Sequence, residues 1–325
     1  MIATGLWQVA PGRAELRRAA LPEPGPDQVR VRALASGVSR GTERLVLAGR
    51  VPESQHAAMA APIPYGAFPF PVSYGYAVVG VVEAGAPDLL GRRVFVLHPH
   101  HDVFLAPRGM VVPVPDIVPD HRAVLAANME TAVNILWDAA PLVGERALVV
   151  GAGVVGLLAA YLLARIPGID LMVVDPDATR GPIATQFGAR FGHPDAAPDQ
   201  RDLVIHASAN PAGLRLALAR AGFEGRIVEA SWFGDAEVAL PLGEAFHAKR
   251  LKLISTQVGQ VSPALRGRRT HGERLALALA LLADPALDAL VGPAMRFGDL
   301  EAAYPALLSP PAGGMQPLCP LILYP

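Results

Sequence analysis

Apolar and polar positions alternate in short runs over the first part of the chain. The runs include "QVRVRALASG", "AVVGVVEAG" and "RRVFVLH", which are separated by Pro and Gly and show little helical periodicity. Runs of this kind, bounded by turn residues, are typical of β-strands. The pattern predicts a compact, mostly β domain over residues 1–119.

The pattern changes at Ala123, where "AVLAANMETAVNILWDA" places apolar residues at helical spacing. The next segment, "RALVVGAGVVGLLAAYLLARI", reads as a buried strand, a glycine turn and an apolar helix. Strands and helices then alternate through "LMVVD", "IATQFGA", "DLVIHAS", "GLRLALARA", "GRIVEAS" and "LKLIST". Such alternation is typical of βαβ units, so we predict an α/β domain with a doubly wound parallel sheet over residues 120–259.

The alternation stops after Gly259. One amphipathic helix, "HGERLALALALLAD", is followed by the short segments "DALVGPAMRF" and "CPLILYP". These about 65 residues are too few for a core of their own, so we expect residues 260–325 to return to the first domain. The Pro-rich stretches from Pro62 to Pro71 and at Pro310 and Pro311 are predicted to be surface loops.

Composition narrows the class of ligand. The chain has 28 Lys and Arg against 29 Asp and Glu, which leaves a formal charge of −1 and no strong field for nucleic acid or an anionic membrane. Its apolar runs are interrupted before the ~20 residues that a membrane span needs, and "MIATGLWQVAPGRAEL" lacks the pattern of a secretion signal. We expect a soluble, cytoplasmic protein with a small-molecule substrate.

The glycine turn carries the clearest chemistry. Gly151, Gly153 and Gly156, with Val154 and Val155 between the last two, match G-x-G-x-x-G between a strand and a helix. Glycines allow a tight turn and close backbone approach, while the helix start offers free N–H groups to a pyrophosphate. Asp175 ends the next strand, where a carboxylate can accept hydrogen bonds from the adenosine ribose. The alternative is a generic strand-to-helix turn with a surface Asp.

The same residues bear on cofactor choice. The Asp175 carboxylate would repel a 2′-phosphate, so the sequence favours NAD(H) over NADP(H), although Arg180 could partly offset this preference. Ser208 and Ser231 each follow a predicted parallel strand. Carboxyl ends of such strands line the cofactor crevice, so both serines are candidate cofactor contacts or, alternatively, plain loop residues.

With these motifs, the whole chain resembles the medium-chain dehydrogenase/reductase superfamily, that is, the superfamily of the zinc-type alcohol dehydrogenases. The resemblance rests on "GAGVVG" with Asp175, "SGVSRGTERLVLAG", "GRRVFVLHP" and "NMETAVNIL". It implies a GroES-like β-rich catalytic domain, a Rossmann domain and a homodimer formed near "LKLISTQV". Within the superfamily, "SGVSRGTE" and "YGYAVVGVVEAG" are most similar to the zinc-free branch that contains bacteriochlorophyllide a dehydrogenase, which oxidises a hydroxyethyl group to acetyl.

The resemblance also identifies what is missing. Zinc-dependent relatives carry a cysteine, a "GHE" and a second cysteine or acid, where this chain has Ser39 or Arg40, Tyr76 with Ala77, and Ala127. Hydroxyl and methyl groups are poor zinc ligands. Cys319 is the single cysteine, so a four-cysteine structural site is excluded as well. We expect neither catalytic nor structural zinc.

Without zinc, other groups must polarise a carbonyl or accept the proton of an alcohol. The resemblance places Thr42 at a proton-relay position, Glu43 beside it, Tyr76 at a former zinc-ligand position and His98 in the substrate pocket. A histidine can act as an acid or base, and a tyrosine hydroxyl can donate to a developing oxyanion. Alternatively, His98 is a loop residue in "HPHHD" and Tyr76 a core residue.

Three further features have open interpretations. Thr131 matches a position beside the nicotinamide in relatives, and neighbouring Glu130 could cap a helix or form a salt bridge. The run from His98 to Asp102 could bind a metal, but adjacent residues of a strand point to opposite faces. The cluster "RGRRTHGER" could contact an anionic substrate, and a solvated face is the more usual role of such a cluster.

The sequence thus predicts a zinc-independent NAD(P)-dependent oxidoreductase that transfers hydride between nicotinamide and a secondary alcohol or ketone, in a cleft between its domains. Two alternatives remain. One is a zinc-free enone or quinone reductase of the same superfamily, and the other is a dinucleotide-binding protein without catalysis.

Overall fold

The computed structural model describes residues 1–60, 63, 65–309 and 317–325. The chain forms two compact units, unit 1 from Met1–Ala127 and Leu275–Pro325, and unit 2 from Asn128–Arg274. The two units divide within helices, at Ala127/Asn128 and at Arg274/Leu275, and the domain boundaries predicted from the sequence stay predictions. The loop predicted at Pro310 and Pro311, and Pro62 in the other predicted loop, lie outside the described residues.

The elements alternate as the sequence pattern predicts. In chain order, the described strands are β1 (Ile2–Ala10), β2 (Arg13–Ala20), β3 (Gln28–Gly37), β4 (Val78–Ala84), β5 (Arg93–Val96), β6 (Val103–Pro107), β7 (Val112–Pro113), β8 (Arg146–Val150), β9 (Asp170–Val174), β10 (Arg190–Gly192), β11 (Arg201–His206), β12 (Ala221–Glu229), β13 (Lys252–Ser255), β14 (Val291–Arg296) and β15 (Cys319–Leu323). The described helices are α1 (Arg40–Leu47), α2 (His56–Ala60), α3 (Asp120–Ala123), α4 (Ala126–Ala139), α5 (Val154–Leu163), α6 (Gly181–Gln186), α7 (Pro211–Arg220), α8 (His271–Leu281) and α9 (Leu300–Leu308).

Unit 1 is built on the mixed sheet β14-β15-β3-β4-β5-β7, and β6 also pairs with β3. Every second residue of β3 from Val29 to Ala35 is buried, as expected for a strand with one face on a core. The strands β1 and β2 form a separate antiparallel pair. Helix α1 begins three residues after β3 ends, and the scarcity of helical periodicity in this region did not predict it.

Unit 2 contains the parallel sheet β10-β9-β8-β11-β12-β13. Its core includes Leu148, Val174, Val204 and Ile227 from four strands. The chain order reverses at β8, which lies between β9 and β11, and ligands of such sheets bind at the carboxyl ends beside this point. The predicted fold class, a GroES-like β-rich domain with a doubly wound parallel-sheet Rossmann domain, is confirmed.

Strand β13 forms one edge of this sheet, and its Leu253 is exposed. The homodimer expected through this strand stays a prediction. None of the helices in the described part of the chain has the length and apolar character needed to cross a membrane.

Candidate active site

The glycine turn follows β8 directly, and its geometry requires glycine at two positions. Gly151 has a φ of +106°, a conformation that side chains disfavour. A Cβ on Gly156 would lie 2.0 Å from the Gly151 carbonyl oxygen. Gly153 is exposed and precedes Val154, where α5 begins, so the free N–H groups of this helix start lie at the turn.

Asp175 lies beside this turn, at the carboxyl end of β9. One carboxylate oxygen accepts from the Ala152 N–H at 2.7 Å, and the other accepts from the Asp177 N–H at 2.8 Å. Arg180 is buried and forms a 3.1 Å ion pair with Asp177. The carboxylate is therefore fixed next to the turn, and an acidic partner accompanies the arginine that could have favoured a 2′-phosphate.

Ser208 and Ser231 follow β11 and β12, at the carboxyl edge of the sheet. The Ser208 hydroxyl lies 2.7 Å from His206 Nε2, and the Ser231 hydroxyl accepts from the Ala209 N–H at 3.0 Å. His206 also contacts Glu229. The sequence reasoning missed these last two residues, although each is a polar residue at the end of an apolar run, in "DLVIH" and "GRIVE". Thr131 lies half-buried on α4.

Tyr76 joins the hydroxyl groups of unit 1. Its hydroxyl donates to Ser39 and lies 3.4 Å from Thr42 Oγ1. Tyr76 is half-buried as a residue. Burial of its phenol group raises the pKa of that group to about 12. Tyr76 therefore stays protonated at neutral pH and is able to donate a hydrogen bond. The structure brings together two catalytic candidates, Tyr76 and Thr42, with Ser39.

Glu43 lies beneath this group and is fully buried. Its Oε1 accepts from the Ser39 N–H at 2.7 Å, while its Oε2 lies 3.0 Å from His100 Nε2 and 2.6 Å from the Tyr304 hydroxyl. The carboxylate thus has three donors from the protein itself. This geometry supports the start of α1 and presents no exposed Glu43 atom to a substrate.

The hydrogen bonds continue beyond His100. Its Nδ1 lies 2.9 Å from the Ser36 hydroxyl, which lies 2.9 Å from the Tyr324 hydroxyl. On the other side, Gln8 donates to Tyr304 at 3.2 Å. No local sequence pattern predicts this network, because His100 and Tyr304 lie far from Glu43 along the chain.

His98 and His101 are both buried, and His98 lies in the loop that follows β5. His98 Nδ1 lies 2.8 Å from the Pro99 carbonyl oxygen and Nε2 lies 3.1 Å from the Tyr65 hydroxyl. Burial lowers the pKa of His98 well below its ordinary value and that of His101 to about 3. Both rings are neutral, and the proton-transfer role suggested for His98 stays a prediction.

A zinc ion like that of zinc-dependent relatives would need deprotonated thiolate, imidazole or carboxylate ligands at these positions. Tyr76, Ser39 and Thr42 offer neutral hydroxyls, and Glu43 already accepts from three donors. Cys319 is buried, which raises the pKa of its thiol to about 12, whereas zinc binds the thiolate. Within the described ranges, no group of three or more His, Cys, Asp or Glu is placed to hold a metal. These residues do not fit a catalytic zinc.

The contacts of Arg274 and Glu130 bear on two interpretations left open above, namely those of Glu130 and of the basic cluster "RGRRTHGER". Arg274 is buried and donates to Glu130 at 3.0 Å and to Asn134 at 2.6 Å. The salt bridge considered for Glu130 is therefore present. Arg274 does not belong to a solvated face or an anion site, because its guanidinium is buried in these contacts, whereas Arg266, Arg268 and Arg269 are exposed.

Comparisons with known proteins agree with this architecture. No protein-family model matches the chain. The 2-desacetyl-2-hydroxyethyl bacteriochlorophyllide A dehydrogenase of Cereibacter sphaeroides is 29% identical over 305 residues, which cover 86% of this chain and 89% of that protein. This relative is a bacteriochlorophyllide dehydrogenase, like the enzyme of the zinc-free branch that the sequence motifs resemble.

Solved structures show the same fold. L-idonate 5-dehydrogenase of Escherichia coli K-12 aligns with a TM-score of 0.80 at 14% identity, over 99% of this chain and 98% of that one. A protein of Sinorhizobium meliloti 1021, assigned as a zinc-binding dehydrogenase and bound to NADP, aligns with a TM-score of 0.78 at 17% identity, over 99% of both chains. The resemblance to the medium-chain dehydrogenase/reductase superfamily is therefore confirmed, and the chain has the fold of that superfamily.

Proposed function

We propose that this protein is a zinc-independent oxidoreductase that uses NAD(H) to interconvert a secondary alcohol and a ketone. The observation that carries this proposal is the protonated hydroxyl of the half-buried Tyr76, which lies among other hydroxyls where zinc-dependent relatives place a metal ligand. A fixed hydroxyl donor can stabilise negative charge that develops on a carbonyl oxygen. It therefore offers the polarisation that zinc supplies elsewhere.

The residues of unit 2 fit a dinucleotide. Gly151, Gly153 and Gly156 form a turn open to a pyrophosphate at the start of α5, and Asp175 can accept from ribose hydroxyls. When bound, the nicotinamide supplies the hydride acceptor or donor. The fixed Asp175 carboxylate, and the pairing of Arg180 with Asp177 at 3.1 Å, support a preference for NAD(H) over NADP(H).

Proton handling falls to Tyr76 and its neighbours. In the reducing direction, Tyr76 Oη holds the proton that the substrate oxygen takes up. When the Tyr76 hydroxyl turns towards a substrate, the Ser39 hydroxyl is free to donate to Oη in its place. Thr42 Oγ1 at 3.4 Å offers a second partner. The phenolate left at Oη can accept hydrogen bonds from these hydroxyls and regain its proton from solvent, so the step needs no titrating histidine.

A row of rings supports an apolar substituent on the substrate. His56 and Phe68 stack at 5.5 Å, Phe68 meets Tyr74 at 5.8 Å and Tyr74 meets Tyr76 at 6.1 Å, measured between ring centroids. All four rings are half-buried. The name of the Cereibacter relative, with its hydroxyethyl group on a large ring system, agrees with such a substrate.

The test combines binding with turnover. We expect NADH to bind in a fluorescence titration more tightly than NADPH, and ketones to be reduced in preference to enones. Activity should survive dialysis against a chelator and gain nothing from added zinc. Reduction of enones alone would favour the reductase alternative, binding without any hydride transfer would favour a non-catalytic protein, and loss of activity on chelation would overturn the zinc-independent mechanism.

A further inference from the structure

His206 and Glu229 are paired at the carboxyl edge of the parallel sheet. They are the last residues of β11 and β12 and lie opposite each other in the strand register. His206 is fully buried, and its Nδ1 lies 2.7 Å and 2.9 Å from the two carboxylate oxygens of Glu229. The other ring nitrogen, Nε2, lies 2.7 Å from the Ser208 hydroxyl oxygen.

This pairing fixes the direction of each hydrogen bond for a neutral ring. An ionised carboxylate only accepts, so Nδ1 of His206 must carry the ring proton. Nε2 is then an acceptor, and the Ser208 hydroxyl must donate to it. The Asn210 N–H donates to the same hydroxyl oxygen at 3.3 Å. Ser208 therefore has no proton left for another group and can only accept a hydrogen bond from a ligand.

Ser208 also borders the glycine turn. A Cβ on Gly151 would lie 2.8 Å from the Ser208 Cα, so the two backbones are in contact. Asp175 follows β9 on one side of β8, and Ser208 follows β11 on the other side. Sheets of this topology hold the two halves of a dinucleotide on opposite sides of the switch point. Since Asp175 fits the adenosine half, Ser208 faces the other half.

We propose that Glu229, acting through His206, fixes Ser208 as a hydrogen-bond acceptor for the nicotinamide half of a bound dinucleotide. This inference rests on the proposed cofactor. The matching ligand groups are donors, namely the carboxamide N–H₂ or a ribose hydroxyl. Glu229 and His206 are positioning residues, because Glu229 contacts His206 and His206 contacts Ser208, whereas the ligand is met by Ser208 alone.

Glu229→Gln tests the direction of the hydrogen bonds without changing the size of the side chain. The Ser231 N–H donates to Glu229 Oε1 at 2.7 Å, so the glutamine carbonyl oxygen is expected to take this position. Its amide N–H₂ then meets His206 Nδ1 and moves the ring proton to Nε2. Nε2 donates to Ser208, whose hydroxyl proton turns towards the ligand and opposes a ligand donor.

Two measurements follow from this reversal. Nitrogen NMR of the protein without ligand should show the proton of His206 on Nδ1 in the wild type and on Nε2 in Glu229→Gln. The Kd of NADH should rise about tenfold in the variant, the effect of one mismatched hydrogen bond. The Kd of AMP, which occupies the adenosine half alone, should stay unchanged.

Matched variants separate this role from a general effect on the fold. Glu145 accepts from Arg226 at 2.7 Å and 2.8 Å before β8, at the opposite edge of the same sheet, and Glu145→Gln should change neither Kd. Ser208→Ala should raise the Kd of NADH as much as Glu229→Gln does. The double variant should raise this Kd no further than either single variant.

The inference would be overturned if the wild-type His206 ring carried its proton on Nε2 or if Glu229→Gln left the Kd of NADH unchanged. An equal rise in the Kd values of AMP and NADH would overturn it too. Failure of the wild type to bind any dinucleotide would overturn the proposed function as well. In contrast, a normal NADH Kd with no response to either variant would remove only the role of Ser208.

Discussion

Glu43 Oε2 lies 3.0 Å from His100 Nε2, and both side chains are fully buried. The pair supports the Tyr76 hydroxyl from two directions. Glu43 binds the Ser39 N–H at the start of α1, and the His100 ring packs where a Cβ on Gly75, the neighbour of Tyr76, would lie 2.8 Å from it. An acid at a predicted catalytic position thus holds the candidate hydroxyls in place.

Removal of this acid should be costly to the fold. Glu43→Ala leaves the Ser39 N–H, His100 and Tyr304 without their shared acceptor, and loss of one partner from a buried pair costs about 3–5 kcal/mol. We expect a drop of this size in the free energy of unfolding, measured by urea denaturation. Glu53→Ala, at an exposed acid of the same unit, is the control, and equal stability of the two variants would contradict the role of Glu43.

Tyr76→Phe tests the proposed donor. Loss of one hydrogen-bond donor to a developing oxyanion lowers kcat by about 10²–10³, and we expect this loss in ketone reduction with an unchanged Kd of NADH. Tyr74→Phe makes the same chemical change at a ring whose hydroxyl has the sulfur of Met59 as its partner, 4.0 Å away. That variant should keep its turnover. Equal turnover of Tyr76→Phe and the wild type would remove Tyr76 from the mechanism.

The two parts of the site differ in how far the sequence predicts them. The glycine turn and Asp175 lie in one βαβ unit, so local pattern alone fixes their order and their place at the sheet edge. The Glu43 network joins residues 57 and 261 positions apart along the chain. It joins α1 and α9, which pack together, to the loop that precedes β6, and "HPHHD" reads as polar in isolation.

The buried His101 ring should make the protein sensitive to acid. Its pKa is about 3 in the folded chain and close to 6.5 when unfolded, so the unfolded state binds more protons between these values. The free energy of unfolding should fall as pH drops below 6.5, by up to about 1.4 kcal/mol per pH unit for this ring. His98 shifts in the same direction.

Urea denaturation at a series of pH values measures this slope. His101→Gln should lower the slope of the unfolding free energy against pH by the amount that corresponds to uptake of one proton. His193→Gln, which removes an exposed ring of unit 2, should leave this slope unchanged. A slope that is the same in His101→Gln and the wild type would show that His101 is not the group that takes up the proton.

Alanine at two glycines of the same turn should separate folding from cofactor binding. A Cβ on Gly156 would lie 2.0 Å from the Gly151 carbonyl oxygen, while a Cβ on Gly153 would meet nothing within 4 Å. Gly153 also has a φ of −72°, which alanine adopts without strain. We expect Gly156→Ala to lose about 1–3 kcal/mol of stability through overpacking, and Gly153→Ala to melt like the wild type.

Cofactor binding should follow a different order. The exposed Gly153 backbone is where a pyrophosphate would approach, so an added methyl group should raise the Kd of NADH about tenfold or more in a protein of unchanged stability. Thermal unfolding and a fluorescence titration on the same samples measure both effects. Normal NADH binding by Gly153→Ala would place the dinucleotide away from this turn, because a methyl group at the helix start cannot coexist with a closely bound pyrophosphate.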